Sequence, residues 1–258
     1  MASPFFIRIK MTEEKNIRLI LEYVGTRYHG WQRQKEDATI QAFVEDSIQM
    51  MVGEPIKLIG SGRTDAGVHA LHQICNFNTR SNIDPESFRR GLNSLLPDDI
   101  FIRQADYVPL DFHSRYSIKS KCYEYRIWNG PEVNIFLRNY TWHVRENLDA
   151  EDMRKCMLML TGKHDFSSFK SSGSGNKDPV REIFRAELHG PEDGVLRFVF
   201  EADGFLRHMV RNIMGTVIEV GKGRISSDAF KKIFQSRDRQ KAGIKAPPQG
   251  LFLTMVKY

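Results

Sequence analysis

Cysteine is scarce in this chain: 258 residues hold three, Cys75, Cys122 and Cys156. They are odd in number, widely spaced and never arranged as Cys-x-x-Cys. That argues against a disulfide framework and a zinc finger, and fits a reducing, cytoplasmic setting. No stretch approaches about 18 consecutive apolar residues, so no membrane-spanning helix is expected. The opening MASPFFIRIK has an apolar patch too short for a signal-peptide core, and no cleavage site follows it. Because Met11 starts a fresh segment, MTEEKNIRL, residues 1–15 read as a leader outside the fold.

Several catalytic signatures are also missing. Gly62 and Gly67 have the spacing that opens a phosphate loop, but Val68-His69 stands where Lys-Ser/Thr is required. The dinucleotide pattern fails because its third glycine falls on Asp65. Asp65-Ala66-Gly67 has no second copy, so the proton-sharing carboxylate pair of an aspartic protease is not available.

What the chain does have is an ordinary globular composition, 41% hydrophobic and 27% charged. Its formal net charge of +6 is compatible with a nucleic-acid partner without requiring one. The length suits one large domain or two of about 130 residues.

Periodicity supplies the elements. Asn16–Tyr23 alternates as a strand, and from Thr39 to Val52 apolar residues recur at helical spacing up to Gly53. Strands are expected at Pro55–Ile59, Gln73–Thr79 and Ile100–Val108, with a helix at Pro85–Leu96. The second half reads as strands at Ser117–Trp128 and Tyr140–Val144, then a helix at Asp149–Leu160. A hairpin of Val180–His189 with Val195–Ala202 follows, then a long helix from Leu206, a short one capped near Ser227, and a final strand at Gly250–Tyr258. The first half therefore has the order β-α-β-β-α-β, and the second reads as a repeat of it with one added strand and one added short helix. The expected fold class is α+β, with two ferredoxin-like halves, residues 16–110 and 111–258, each a sheet covered by helices on one face. Lys170–Pro179 reads as a mobile, solvated loop.

One stretch resists a packing explanation. GSGRTDAGVHA, Gly60–Ala70, sets Arg63 and Asp65 two residues apart among glycines and small residues. The plain reading is a surface ion pair in a tight turn, worth about 0–1 kcal/mol.

GRTDAGVHA closely resembles the signature of the tRNA pseudouridine synthase A family. Six further segments resemble that family in order: GTRYHGWQRQ (Gly25–Gln34), DFHSRYS (Asp111–Ser117), Tyr123-Glu124-Tyr125, HDFSSF (His164–Phe169), HMVRN (His208–Asn212) and GLFL (Gly250–Leu253). Val24 and Ser114 depart from the usual aspartate and alanine. The resemblance implies that the two sheets join around a central basic cleft. It also implies a uridine-to-pseudouridine isomerase without cofactor or metal. It acts on tRNA in the anticodon stem-loop at positions 38 to 40, generally as a homodimer.

The resemblance makes Asp65 the reactive carboxylate, and it leaves open whether Asp65 attacks the base, attacks the sugar or takes a proton. Arg63 is implied in base flipping, Arg211 in keeping Asp65 ionised, and Tyr123 in stacking on the flipped uracil. Arg27, Arg33, Arg115 and Lys170 are candidate phosphate contacts, while Tyr125 is expected in the core. The competing reading is a non-catalytic RNA-binding protein with two RRM-like halves. Its aromatic signature is incomplete at Leu196–Phe200, which lacks both small residues.

Overall fold

The structure is a computed structural model that describes residues 13–173 and 178–258. Its first set of elements is β1 (Lys15–Tyr23), α1 (Ile40–Val52), β2 (Ile59–Gly60), β3 (His69–Thr79), α2 (Pro85–Leu95) and β4 (Ile100–Val108). The second set starts with β5 (Ser120–Asn129), β6 (Trp142–Val144), α3 (Ala150–Leu158), β7 (Gly162–Asp165) and β8 (Val180–Glu192). It continues with β9 (Val195–Ala202), α4 (Met209–Gly221), α5 (Ser227–Gln235) and β10 (Leu251–Lys257).

Local chemistry sets the boundaries. Ile40, Val44 and Ile48 bury one stripe of α1, and Gly53 ends it at φ 76°, a left-handed turn that glycine adopts without a Cβ penalty. Asp84 caps α2 by accepting the Ser87 N–H, with Pro85 at the first helical position where a missing N–H costs nothing. Asp149 and Ser226 cap α3 and α5 in the same way.

All ten strands lie in one sheet, with the path β4-β1-β3-β10-β5-β9-β8-β7; β2 joins β3 and β6 joins β5. The principal strands of the two sets repeat one order: β4-β1-β3-β2, then β10-β5-β9-β8. That is the ferredoxin-like arrangement, present twice, and it bears out the expected α+β class. The last strand of the chain thus lies at the centre. β10 pairs parallel with β3 through Phe252–His69 and Leu253–Ala70, and antiparallel with β5. Register carries Tyr23, Ala70, Leu253, Tyr123 and Phe200 across the sheet in one row, all buried on the same side.

Several expectations change. Pro55–Ile59 is not a strand beyond Ile59. The Leu58 N–H goes to Glu45 and its carbonyl accepts from Gln41, so α1 side chains satisfy backbone that a neighbouring strand would otherwise take. β3 starts earlier than expected, at His69, because β10 supplies a partner there. β5 starts later, at Ser120, since the Ser117 N–H closes a turn onto His113. β7 was not anticipated: its sequence, Gly-Lys-His-Asp, carries no apolar alternation. Lys15, assigned to the leader, is the first residue of β1 and pairs with Thr79. The loop expected over Lys170–Pro179 lies partly outside the described residues.

The RRM-like alternative requires aromatic rings on the open sheet face. Phe198 and Phe200 of β9 are instead fully buried, and the other face of that strand carries Arg197, Val199 and Glu201.

Candidate active site

The Gly60–Ala70 loop rests on the segment Gly25–Gln34. Trp31 is buried and donates its backbone N–H to the Thr64 carbonyl, while the Gly67 N–H reaches the Tyr28 carbonyl. These approaches need glycine below. A Cβ on Gly25 would lie 2.0 Å from the Val68 carbonyl oxygen, and one on Gly30, at φ +88°, 2.5 Å from that of Thr64. Thr64 points inward and shares a 2.7 Å hydrogen bond with the Tyr23 hydroxyl. Its neighbours Arg63 and Asp65 therefore face outward, Arg63 exposed and Asp65 partly so.

Asp65 does not pair with Arg63. Its Oδ2 accepts a 2.8 Å hydrogen bond from Nη1 of Arg211, in the first turn of α4. The Arg211 side chain is 8% exposed and that of Asp65 29%, so a substrate can reach the carboxylate but not the cation behind it. Arg211 is fixed at both ends of its guanidinium, because Nε donates to the Ala246 carbonyl at 2.8 Å. The pair joins the loop before β3 to the second half of the molecule, across the β3–β10 seam. A guanidinium and the positive end of a helix both attract a negative group at this position. A solvated arginine on a helix surface is thereby ruled out for Arg211.

Tyr123 stands on β5 in the register row that crosses the seam. Its ring meets Phe205 edge-on at 5.0 Å. Burial raises its phenol well above the usual range, and the nearby Tyr23 and Asp65 add to the effect, so Tyr123 presents a neutral ring. Tyr125 is fully buried and donates to the Pro247 carbonyl.

The other cations are scattered more widely. Arg63 Nε donates to Gln32 at 3.0 Å. Arg27 pairs with Asp99, and Arg33 lies between Glu45 and Asp46, so both charges are already engaged with carboxylates. Arg115 sits beside the exposed Tyr116 ring. Lys170 follows the turn Ser167–Phe169, next to Ser171, whose N–H bonds the Arg207 carbonyl before α4.

Two residues at the site had no assigned role. His208 caps α4 in a left-handed conformation, φ 61°, with Nε2 3.5 Å from Asp65 Oδ2. Its Nδ1 is buried without a hydrogen-bond partner. A second ring proton there would have no acceptor. Burial lowers the pKa of this imidazole, Asp65 pulls the other way, and Lys245, Arg211 and Arg207 lower it further. The ring is therefore neutral. Lys121, two residues before Tyr123, donates to the Ser61 carbonyl at 2.7 Å. His208 was visible within HMVRN, but no pattern signalled Lys121.

A reachable carboxylate is held by Arg211, beside a histidine on which Arg207 and Lys245 also act, and a neutral aromatic ring stands on the register row that crosses the seam. That arrangement suits a substrate that cations attract and that carries a planar base. Enzymes that modify nucleic-acid bases are the class with that requirement. Comparison with known proteins narrows the class. Residues 19–117 and 157–258 match the family model described as tRNA pseudouridine synthase. Relatives called tRNA pseudouridine synthase A, from Acetivibrio thermocellus and Thermoanaerobacter sp. strain X514, are 47% and 46% identical over 244 residues. Each alignment spans 95% of this chain and 100% of the relative. A Cbf5-Nop10-Gar1 complex matches at 11% identity and a TM-score of 0.38, over 92% of this chain and 57% of that one, a likeness too slight to add to the fold above. The chain belongs to the tRNA pseudouridine synthase family, and its activity is that of a pseudouridine-forming isomerase.

Proposed function

We propose that this chain isomerises uridines in the anticodon stem-loop of tRNA, at positions 38 to 40, with Asp65 as the reactive carboxylate. The observation that carries the reading is the Asp65–Arg211 pair at 2.8 Å, held open to solvent on the Asp65 side. The reaction breaks the N1–C1′ bond, turns the uracil and joins C5 to C1′. C5 gives up its proton and N1 gains one, so atoms and charge balance without a redox partner. Asp65 supplies the nucleophile or base that loosens the glycosidic bond.

Extruding a base costs a few kcal/mol of lost stacking. Arg63, exposed beside the carboxylate, fills the vacated space, and Tyr123 offers its ring to the turned uracil. Arg115 and Lys170 hold phosphates. Arg27 and Arg33 would do so only by exchanging their carboxylate partners for RNA. The active form is a homodimer located in the cytoplasm, as the family resemblance implies.

A tRNA transcript with tritium at C5 of its uridines tests the reading, because rejoining through C5 must release the label to water. Release by the wild type is expected, together with a loss on the order of 10^4-fold for Asp65→Ala and tRNA affinity kept within severalfold. Collapse of affinity along with activity would make Asp65 structural. Sedimentation of the free enzyme reads the dimer separately.

A further inference from the structure

Among the described residues, no carboxylate balances the charge of Lys121. Strand alternation puts it on the same face of β5 as Tyr123, about 7 Å away along the strand. Its Nζ donates to the Ser61 carbonyl and presses on the next residue, where a Cβ on Gly62 would come within 2.5 Å of it. An ammonium has three donors, and Ser61 engages one. Among the described residues no carboxylate forms an ion pair with it.

From the turn before β5 the charged group acting on it is Arg115, another cation; on the loop side it bonds the Ser61 carbonyl and lies where a Cβ on Gly62 would stand. Burial, with Arg115 second, pulls the lysine pKa down to about 8. A half-buried ammonium beside a second cation is costly unless an anion arrives. A neutral amide donor could hold the Ser61 carbonyl without that cost. The charge therefore points to an anion brought by the substrate, and each nucleotide of RNA brings one.

We propose that Lys121 and Arg115 form a seat for an RNA backbone phosphate flanking the target uridine, next to the loop that presents Arg63 and Asp65. Phosphate contact there restores the missing counter-charge and fixes the nucleotide before it turns toward Tyr123. The inference rests on the synthase reading, and its test keeps the two apart: the reading fails if the wild type releases no tritium, whereas the phosphate seat is read from KM.

The experiment measures tritium release by the wild type, Lys121→Gln and Lys121→Arg, from pH 7 to 9 and across a salt series. Thermal midpoints confirm that the variants fold. Lys121→Gln should raise KM for tRNA about tenfold with kcat changed less than about threefold. The slope of log KM against log salt should fall by about 0.7 to 0.9, the loss of one phosphate contact. Wild-type KM should rise toward pH 9 as the lysine discharges, while Lys121→Arg keeps the neutral-pH value throughout. A neutral methylphosphonate beside the target uridine should raise wild-type KM similarly and add little in Lys121→Gln; if free inorganic phosphate is the true ligand, this substitution will change nothing. A drop in kcat with KM and salt slope unmoved would show Lys121 to be a prop for the loop, and would overturn the proposal.

Discussion

The two sides of the seam between β3 and β10 are built in opposite ways. On one side the Gly60–Ala70 loop is polar, thinly covered and held by backbone contacts to Gly25–Gln34. On the other, the first turn of α4 belongs to a helix buried almost all round, and Arg211 is a charged residue inside it. The loop can place a carboxylate but cannot keep it dry or neutralised. The helix supplies the cation and the positive backbone end while contributing no reactive group. The carboxylate and the cation that holds it are thus separated in sequence by 146 positions and meet at the β3–β10 junction.

Breaking the buried side should have the largest effect. Arg211→Met removes the partner of Asp65 and the tie to Ala246; kcat should fall several hundredfold, about 3–4 kcal/mol of lost support. Arg211→Lys should recover little, since one ammonium cannot span both acceptors. A variant with kcat within severalfold of wild type would mean that α4 does not sustain the carboxylate.

The loop side can be probed through His69, buried where the loop enters β3. Nδ1 accepts the Gly25 N–H, Nε2 faces the Asn139 carbonyl, and the ring stacks on Phe252. Burial lowers its pKa to about 4. Between pH 6.5 and 4 the unfolded chain binds a proton that the folded protein excludes. Stability is therefore complete above about pH 6.5 and declines as pH falls, by up to about 3 kcal/mol from this group. Denaturant midpoints over that range should show the slope in the wild type and a shallower one in His69→Gln; equal slopes would assign the acid sensitivity elsewhere.

The smallest expected effect belongs to His208, which touches both sides. At 3.5 Å its contact with Asp65 is long. His208→Leu should lower kcat about tenfold, and His208→Gln, which keeps a donor, less than about threefold. A loss in His208→Leu as large as that of Arg211→Met would promote the imidazole to a principal partner of the carboxylate.

Legibility followed the same division. Strand alternation in β1, the stripe of α1 with its terminal Gly53, and the capped α2 were visible because local residues satisfy local backbone. Asp65 and Arg63 stood out because a small-residue loop has no other use for them. Pro55–Ile59 misled because Gln41 and Glu45, a helix away, take its hydrogen bonds. The short polar β7 stayed hidden because its strand character comes from pairing with β8. Lys121 was silent because an unbalanced charge is visible only when its surroundings are known.

By itself the sequence determined the two β-α-β-β-α-β sets, the loop that exposes a carboxylate and, through seven ordered segments, the family. These depend on short-range periodicity, turn chemistry and residue identity, which a linear chain carries in full. The tertiary structure gave the Asp65–Arg211 pairing that the resemblance implies its 2.8 Å contact and its burial. It also decided that Arg27 and Arg33 are engaged with carboxylates and that no carboxylate among the described residues pairs with Lys121. Those outcomes depend on distance and burial across the seam between the halves. Electrostatic energy there is set by which groups fold together, and the spacing of residues along the chain does not encode it.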